Sequence, residues 1–185
     1  MIFNSSEASV TTFTYIAEDT THESVLLGNT TDNEATGQYS IAEGYGTTAT
    51  GAQSHAEGYQ TLVSTASAHA EGDNTTASGY ASHAQGTGNL ASGEQAFVSG
   101  YQSTASHRNS IAVGMNVKTS HDNQAVFGAF NADDSTALLL VGHGSSTASA
   151  NRKNALTVHT DGRVSAGANA TASEDLVRLG QILDL

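Results

Sequence analysis

The chain has no cysteine, no proline and no tryptophan, and only six basic residues among 185. Each absence narrows what the protein can be. Without cysteine there is neither a disulfide framework nor a thiolate metal site. Without proline the chain is free to be hydrogen-bonded ladder nearly throughout. Six scattered Lys and Arg against eighteen Asp and Glu leave a formal net charge of -12. That excludes nucleic acid as the expected partner, because phosphate binding needs clustered cations. Charged residues make up 13% of the chain, about half the ordinary share. Leu, Ile and Phe are too sparse for a conventional globular core, and Ala, Gly, Ser and Thr dominate instead. No stretch approaches the ~18 apolar residues of a membrane-crossing helix, so no membrane insertion is expected. The opening MIFNSSEASV has no basic n-region and no long apolar run, so no signal peptide is expected.

What the chain does have is a strict repeat. Glycine recurs at Gly44, Gly58, Gly72, Gly86, Gly100, Gly114, Gly128 and Gly142, each fourteen residues after the last. A strand-like phrase ends at each: SIAEG from Ser40, SHAEG from Ser54, AHAEG from Ala68, SHAQG from Ser82, AFVSG from Ala96, SIAVG from Ser110, QAVFG from Gln124 and LLLVG from Leu138. Seven residues behind runs a second marker, Gly51, Gly79 and Gly93, with Thr65, His107 and His121 in the same register. SVLLG from Ser24 is an irregular first copy, sixteen residues before Ser40, with the extra length in a polar turn over Asn29–Glu34. A short fixed period means one unit stacked on itself, and no single unit can bury a core. Two strands fit in each unit: the phrase, and a second centred on Ala49, Val63, Ala77, Ala91 and Ala105. Glycine then marks corners that need positive φ or no side chain. The reading is an all-β parallel β-solenoid of 14-residue repeats.

Side chains alternate along a strand. The middle phrase position holds Ala42, Ala56, Ala70, Ala84, Val98, Ala112, Val126 and Leu140, and is expected inside the coil. The flanking positions share the opposite face. That face is charged and imidazole-bearing early, with His55, His69, His83, Glu57 and Glu71, and apolar late, with Ile111, Val113, Phe127, Leu139 and Val141. A slim coil should not leave the apolar stripe in water. Self-association about a common axis is the expected remedy, threefold in form, with those five residues as the trimer core.

The chain divides into four parts on this reading. Residues 1–23 form an N-terminal cap or attachment segment, with a strand over Ala8–Ala17. Residues 24–143 form the repeat domain. Residues 144–170 hold a loop and a hairpin, whose Asp161-Gly162 pair is a two-residue turn signal. Residues 171–185 form a helix, with Thr171 and Glu174 at capping-box spacing and an apolar face of Leu176, Leu179, Ile182 and Leu183. A helix this short is marginal alone and is expected to pack with symmetry mates.

Asn109-Ser110-Ile111-Ala112-Val113-Gly114 resembles the NSVAIG motif of YadA-type trimeric adhesin head repeats, and Ala77-Ser78-Gly79 and Ala91-Ser92-Gly93 resemble their second half. The SHAEG copies at Ser54 and Ser82 are similar to YadA-like repeats in bacteriophage and prophage tail-fibre proteins. The resemblance covers Ser24 to about Gly142. It implies a left-handed parallel β-roll, three chains side by side, with apolar phrase positions lining the trimer centre. The implied function is that of a structural, adhesive fibre protein. Secreted trimeric adhesins carry a signal peptide and a membrane barrel, and this chain shows neither pattern. The expectation is therefore a phage tail or head fibre on the virion surface, assembled in the host cytoplasm. Its expected partners are its own copies, other virion proteins and a host receptor, either a glycan or a surface protein. A bacterial surface adhesin is the alternative carrier of the same repeats.

His55, His69 and His83 share one repeat position and must stack. Three chains would bring three imidazoles together per layer, a metal or ion site on the trimer axis. The competing reading is a polar ladder hydrogen-bonded to Glu57 and Glu71. No other cofactor is expected. No G-x-S-x-G, HExxH, P-loop or EF-hand spacing occurs, so the chain is not expected to be an enzyme. The contrary reading is a polysaccharide-degrading fibre using stacked carboxylates such as Glu57 and Glu71. Thr47, Thr48, Thr61, Thr75 and Thr76 also raise an exposed Thr ladder of the ice-binding kind.

Overall fold

The computed structural model describes residues 16–19, 21–28 and 32–167. The proposed helix over 171–185 and most of the proposed N-terminal segment lie outside the described residues. Within them the protein is a β-solenoid of about eight turns, with a single 3-10 turn at Ser149–Asn151. Nine parallel strands form the long sheet, from Ser24–Gly28 through Ile41–Tyr45, His55–Tyr59, His69–Asp73 and onward to Ala137–His143. Each pairs with the next in perfect fourteen-residue register from Ile41 onward, as in Gly44↔Gly58 and Gly72↔Gly86. The irregular first copy joins the stack through Val25↔Ile41 and Gly28↔Gly44. Eight steps at the ~4.8 Å strand spacing give a stack roughly 38 Å long.

The second sheet is built of two-residue strands, Glu34–Ala35, Thr48–Ala49, Leu62–Val63, Thr76–Ala77, Leu90–Ala91 and Thr104–Ala105. The core lies between the two sheets and is made of the residues the alternation nominates. Ala42, Ala56, Ala70, Ala84, Val98, Ala112, Val126 and Leu140 are all fully buried, facing Ala35, Ala49, Val63, Ala77, Ala91 and Ala105. Small side chains are needed because the sheets approach closely.

The corners depart from the glycine expectation. Of the two glycine series that mark the repeat, only the phrase series has positive φ, between 100° and 139° from Gly28 to Gly128. Gly37, Gly51, Gly79 and Gly93 do not, and serve instead where a Cβ would stand about 2 Å from the next coil's carbonyl. Two further corners per coil are left-handed and carry ordinary residues, including Gln53, Ser67, Ala81, Gln60, Asn74 and Gln102. Their N–H groups each donate to a carbonyl fifteen residues back, as in Gln53 to Gln38 at 2.7 Å and Asn74 to Tyr59 at 2.9 Å. The stack holds each such corner in place, which is how a strained conformation persists without glycine.

Antiparallel strands take both ends of the long sheet, Ile16–Asp19 on Ser24–Gly28 and Asn154–His159 on Ala137–His143. The hairpin from Asn154–His159 to Val164–Ala166 forms as expected, with a different turn. His159 N–H donates to Arg163 O and Gly162 takes φ 87°. The loop is therefore three residues, Thr160–Gly162, ending in a left-handed glycine.

Candidate functional site

The outward face of the long sheet holds the candidate site, and three columns cross it. Register places them: phrase residues two apart point the same way, and every coil repeats the placement.

The first column is imidazole. His55, His69 and His83 are directly paired neighbours. The rings of His55 and His69 stack at 4.7 Å and 2°. His83 lies 4.7 Å from His69 but is tilted by 50°, and its edge meets Phe97 at 5.4 Å. The Nε2 atoms of all three are shut off from solvent and have no hydrogen-bond partner among the described residues. The polar-ladder reading therefore fails: Glu57 Oε2 comes to 3.7 Å of His55 Nε2 and Glu43 Oε2 to 3.9 Å, both beyond hydrogen-bonding distance. Burial, followed by the neighbouring His83 and His55, pushes the His69 imidazole below its ordinary pKa, and Glu71 opposes this. His69 is thus favoured in the neutral form in which imidazole binds a metal. His107 and His121 sit apart at the second corner, where His121 contacts the carbonyls of Asp122 and Ala137.

The second column is the apolar stripe. Ile111 remains 38% exposed and Phe127 40%. Val113, Leu139 and Val141 are half-buried. In-register pairing joins them into one surface through Ile111↔Ala125↔Leu139 and Val113↔Phe127↔Val141. A single chain leaves this surface facing water.

The third column is aromatic and was not anticipated. Tyr45 and Tyr59 follow their phrase glycines by one residue, and their rings stack at 5.5 Å and 8°. Tyr101 and Met115 continue the position, and all four are about half exposed. The signal was present at the fourteen-residue spacing, interrupted by Asp73 and Thr87.

The Thr ladder is overturned. Thr47, Thr61 and Thr75 are fully buried inside the coil, while Thr48 and Thr76 are half-buried on the second sheet with Leu62 in register between them, so the five form no continuous hydroxylated surface. The three belong to an internal polar column, continued by Asn33, Asn89, Ser103 and Asn131. Thr75 donates to Glu71 O within its own coil, the Thr47 and Thr61 hydroxyls have no partner among the described residues, and the Asn and Ser members bond backbone groups of neighbouring coils.

Compared with known proteins, the chain matches the YadA head domain repeat over residues 35–61, 70–88 and 91–116. Those segments hold His55, Glu57, His83 and the Asn109–Gly114 motif, and together span less than half the chain. No curated protein gives a significant match. The solenoid continues beyond the matched region in unbroken register, so Phe127, Leu139 and Val141 extend the same face. Over those three segments the chain is similar to the YadA head domain repeat, and the same coil register runs through all of them.

Proposed function

We propose that the protein is a structural and adhesive fibre segment in which three copies pack their long sheets around a common axis and present the remaining surface to a receptor. The apolar stripe carries this reading. Ile111, Val113, Phe127, Leu139 and Val141 form a continuous face that one chain leaves wet, and exposed apolar surface of this kind marks an interface. The head-type repeat supports an adhesive role. The half-exposed tyrosines Tyr39, Tyr80 and Tyr101 offer flat amphipathic rings of the type that recognition surfaces favour.

Two carriers suit such a fibre. The SHAEG copies favour a virion fibre of a phage tail or head, and the Asn109–Gly114 motif favours a bacterial surface adhesin. Either carrier makes the protein a binder of a cell-surface glycan or protein without turnover. The test is retention of the fluorescently labelled full chain on candidate host cells, with reducing ends assayed in parallel on capsule and cell-wall polysaccharide. Saturable retention without release of reducing ends is expected. Release of reducing ends would make it a depolymerase, and absence of retention on every host would remove adhesion. Immunogold labelling of virions and of cells assigns the carrier.

A further inference from the structure

His55, Glu57 and His69 converge in the upper half of the long sheet. One ligand atom from each lies within 4.8 Å of the other two. The fold dictates this meeting. His55 and Glu57 are two residues apart on the strand His55–Tyr59 and so share a face. His69 is the in-register neighbour of His55 on the next coil. Both imidazole Nε2 atoms are buried and unpartnered among the described residues, which costs free energy unless something else satisfies them. Glu57 Oε2 is 3.7 Å from His55 Nε2, too far for a hydrogen bond. In a tetrahedral site two ligand atoms each about 2.0–2.2 Å from zinc stand about 3.3–3.6 Å apart, so this pair is within a few tenths of an ångström of fitting. Small side-chain rotations bring in the third.

We propose that His55, Glu57 and His69 bind a late first-row divalent cation, zinc in the first instance, which ties two adjacent coils together. Two imidazole nitrogens with one carboxylate oxygen suit zinc better than calcium or magnesium, which take oxygen ligands. The set is open, with three protein ligands and a fourth position left to water or to Glu43, whose Oε2 is 3.9 Å from His55 Nε2. His83 is excluded because its ring turns away toward Phe97. The site is complete within one chain and stands whatever the number of chains that assemble.

The test uses the full chain, stripped with chelator, loaded with Zn2+ and dialysed, with metal counted by mass spectrometry. Co2+ absorption reports the geometry. One zinc per chain and tetrahedral cobalt bands are expected. Glu57→Gln, which preserves shape, and His69→Gln should each weaken binding by well over about tenfold, the least that loss of even a supporting partner brings. His83→Gln should leave binding unchanged. If His69→Gln does not fold, Glu57→Gln decides alone. Failure of the wild type to retain zinc, or equal retention by Glu57→Gln, overturns the site. Loss of zinc in His83→Gln overturns the three-residue assignment in favour of the whole column. Light scattering on the same samples reads the assembly separately.

Discussion

A Cβ placed on Gly72 would stand 2.0 Å from the carbonyl oxygen of Gly86, at a φ of +111°. That carbonyl belongs to the next coil's ladder and cannot move aside alone. Gly72→Ala should therefore lose more than about 3 kcal/mol, above the ~1–3 kcal/mol of backbone strain by itself. Gly162 has φ +87° and open space around it, so Gly162→Ala should cost only about 1–2 kcal/mol. Urea unfolding of both variants reads the difference, and equal losses would show that φ, not stacking, explains the glycine column. Asp134 offers a second test at this scale. Thr136 Oγ1 donates to its carboxylate at 2.6 Å and holds its pKa below the ordinary value. A carboxylate with a depressed folded pKa contributes stability that is present above its unfolded pKa and fades as pH falls through the folded one. Thr136→Val should raise the Asp134 titration midpoint seen by NMR. It should remove under about 1 kcal/mol at neutral pH, since the carboxylate is only partly buried and solvent screens it. An unmoved midpoint would contradict the assignment.

A coil holds together through its internal polar column as much as through its alanines. Asn89 donates to Gln85 O at 2.6 Å and Gly100 O at 2.7 Å, and accepts from Ser103 N–H at 2.7 Å. Asn89→Ala leaves these buried groups unpaired and should cost about 2–4 kcal/mol, at ~1–3 kcal/mol for each buried group that finds no substitute. Asn89→Thr should cost less, because Thr75 on the preceding coil makes the equivalent bond to Glu71 O at 3.1 Å. Denaturation gives the totals, and hydrogen exchange at the Ser103 amide should accelerate in both variants. Unchanged exchange would mean that the asparagine does not bridge the coils. This column is also where reading the sequence fell short. Five-residue phrases display their alternation, so the buried Ala42-to-Leu140 series and the outward His and Phe positions were legible. Two-residue strands such as Thr48–Ala49 are too short to show a period, so nothing in the sequence separates the buried Thr47, Thr61 and Thr75 from an outward row. The turn of His83 toward Phe97 was hidden for another reason, since a ring's rotation depends on its neighbour in the stack. The left-handed corners at Gln53 or Asn74 carry no glycine signal because cross-coil hydrogen bonds hold them.

The described residues form a thin stack with a wet apolar face, and assembly through that face is what the proposed function requires. Burying Ile111, Val113, Phe127, Leu139 and Val141 against two further copies would bring three Phe127 side chains to one level of the axis. Phe127→Asp would place three carboxylates there, each costing several kcal/mol when desolvated and unpaired. That variant should yield monomers or aggregates. Tyr101→Ser, in the neighbouring aromatic column, should keep the assembly and weaken cell retention. An assembly lost in Tyr101→Ser but kept in Phe127→Asp would exchange the roles of the two columns. The most direct measurement is the solution mass of the wild-type chain by light scattering across a wide concentration range. Three times the 18.9 kDa chain is expected throughout, because an interface of this kind makes folding and assembly inseparable. A folded monomer at 18.9 kDa would contradict it.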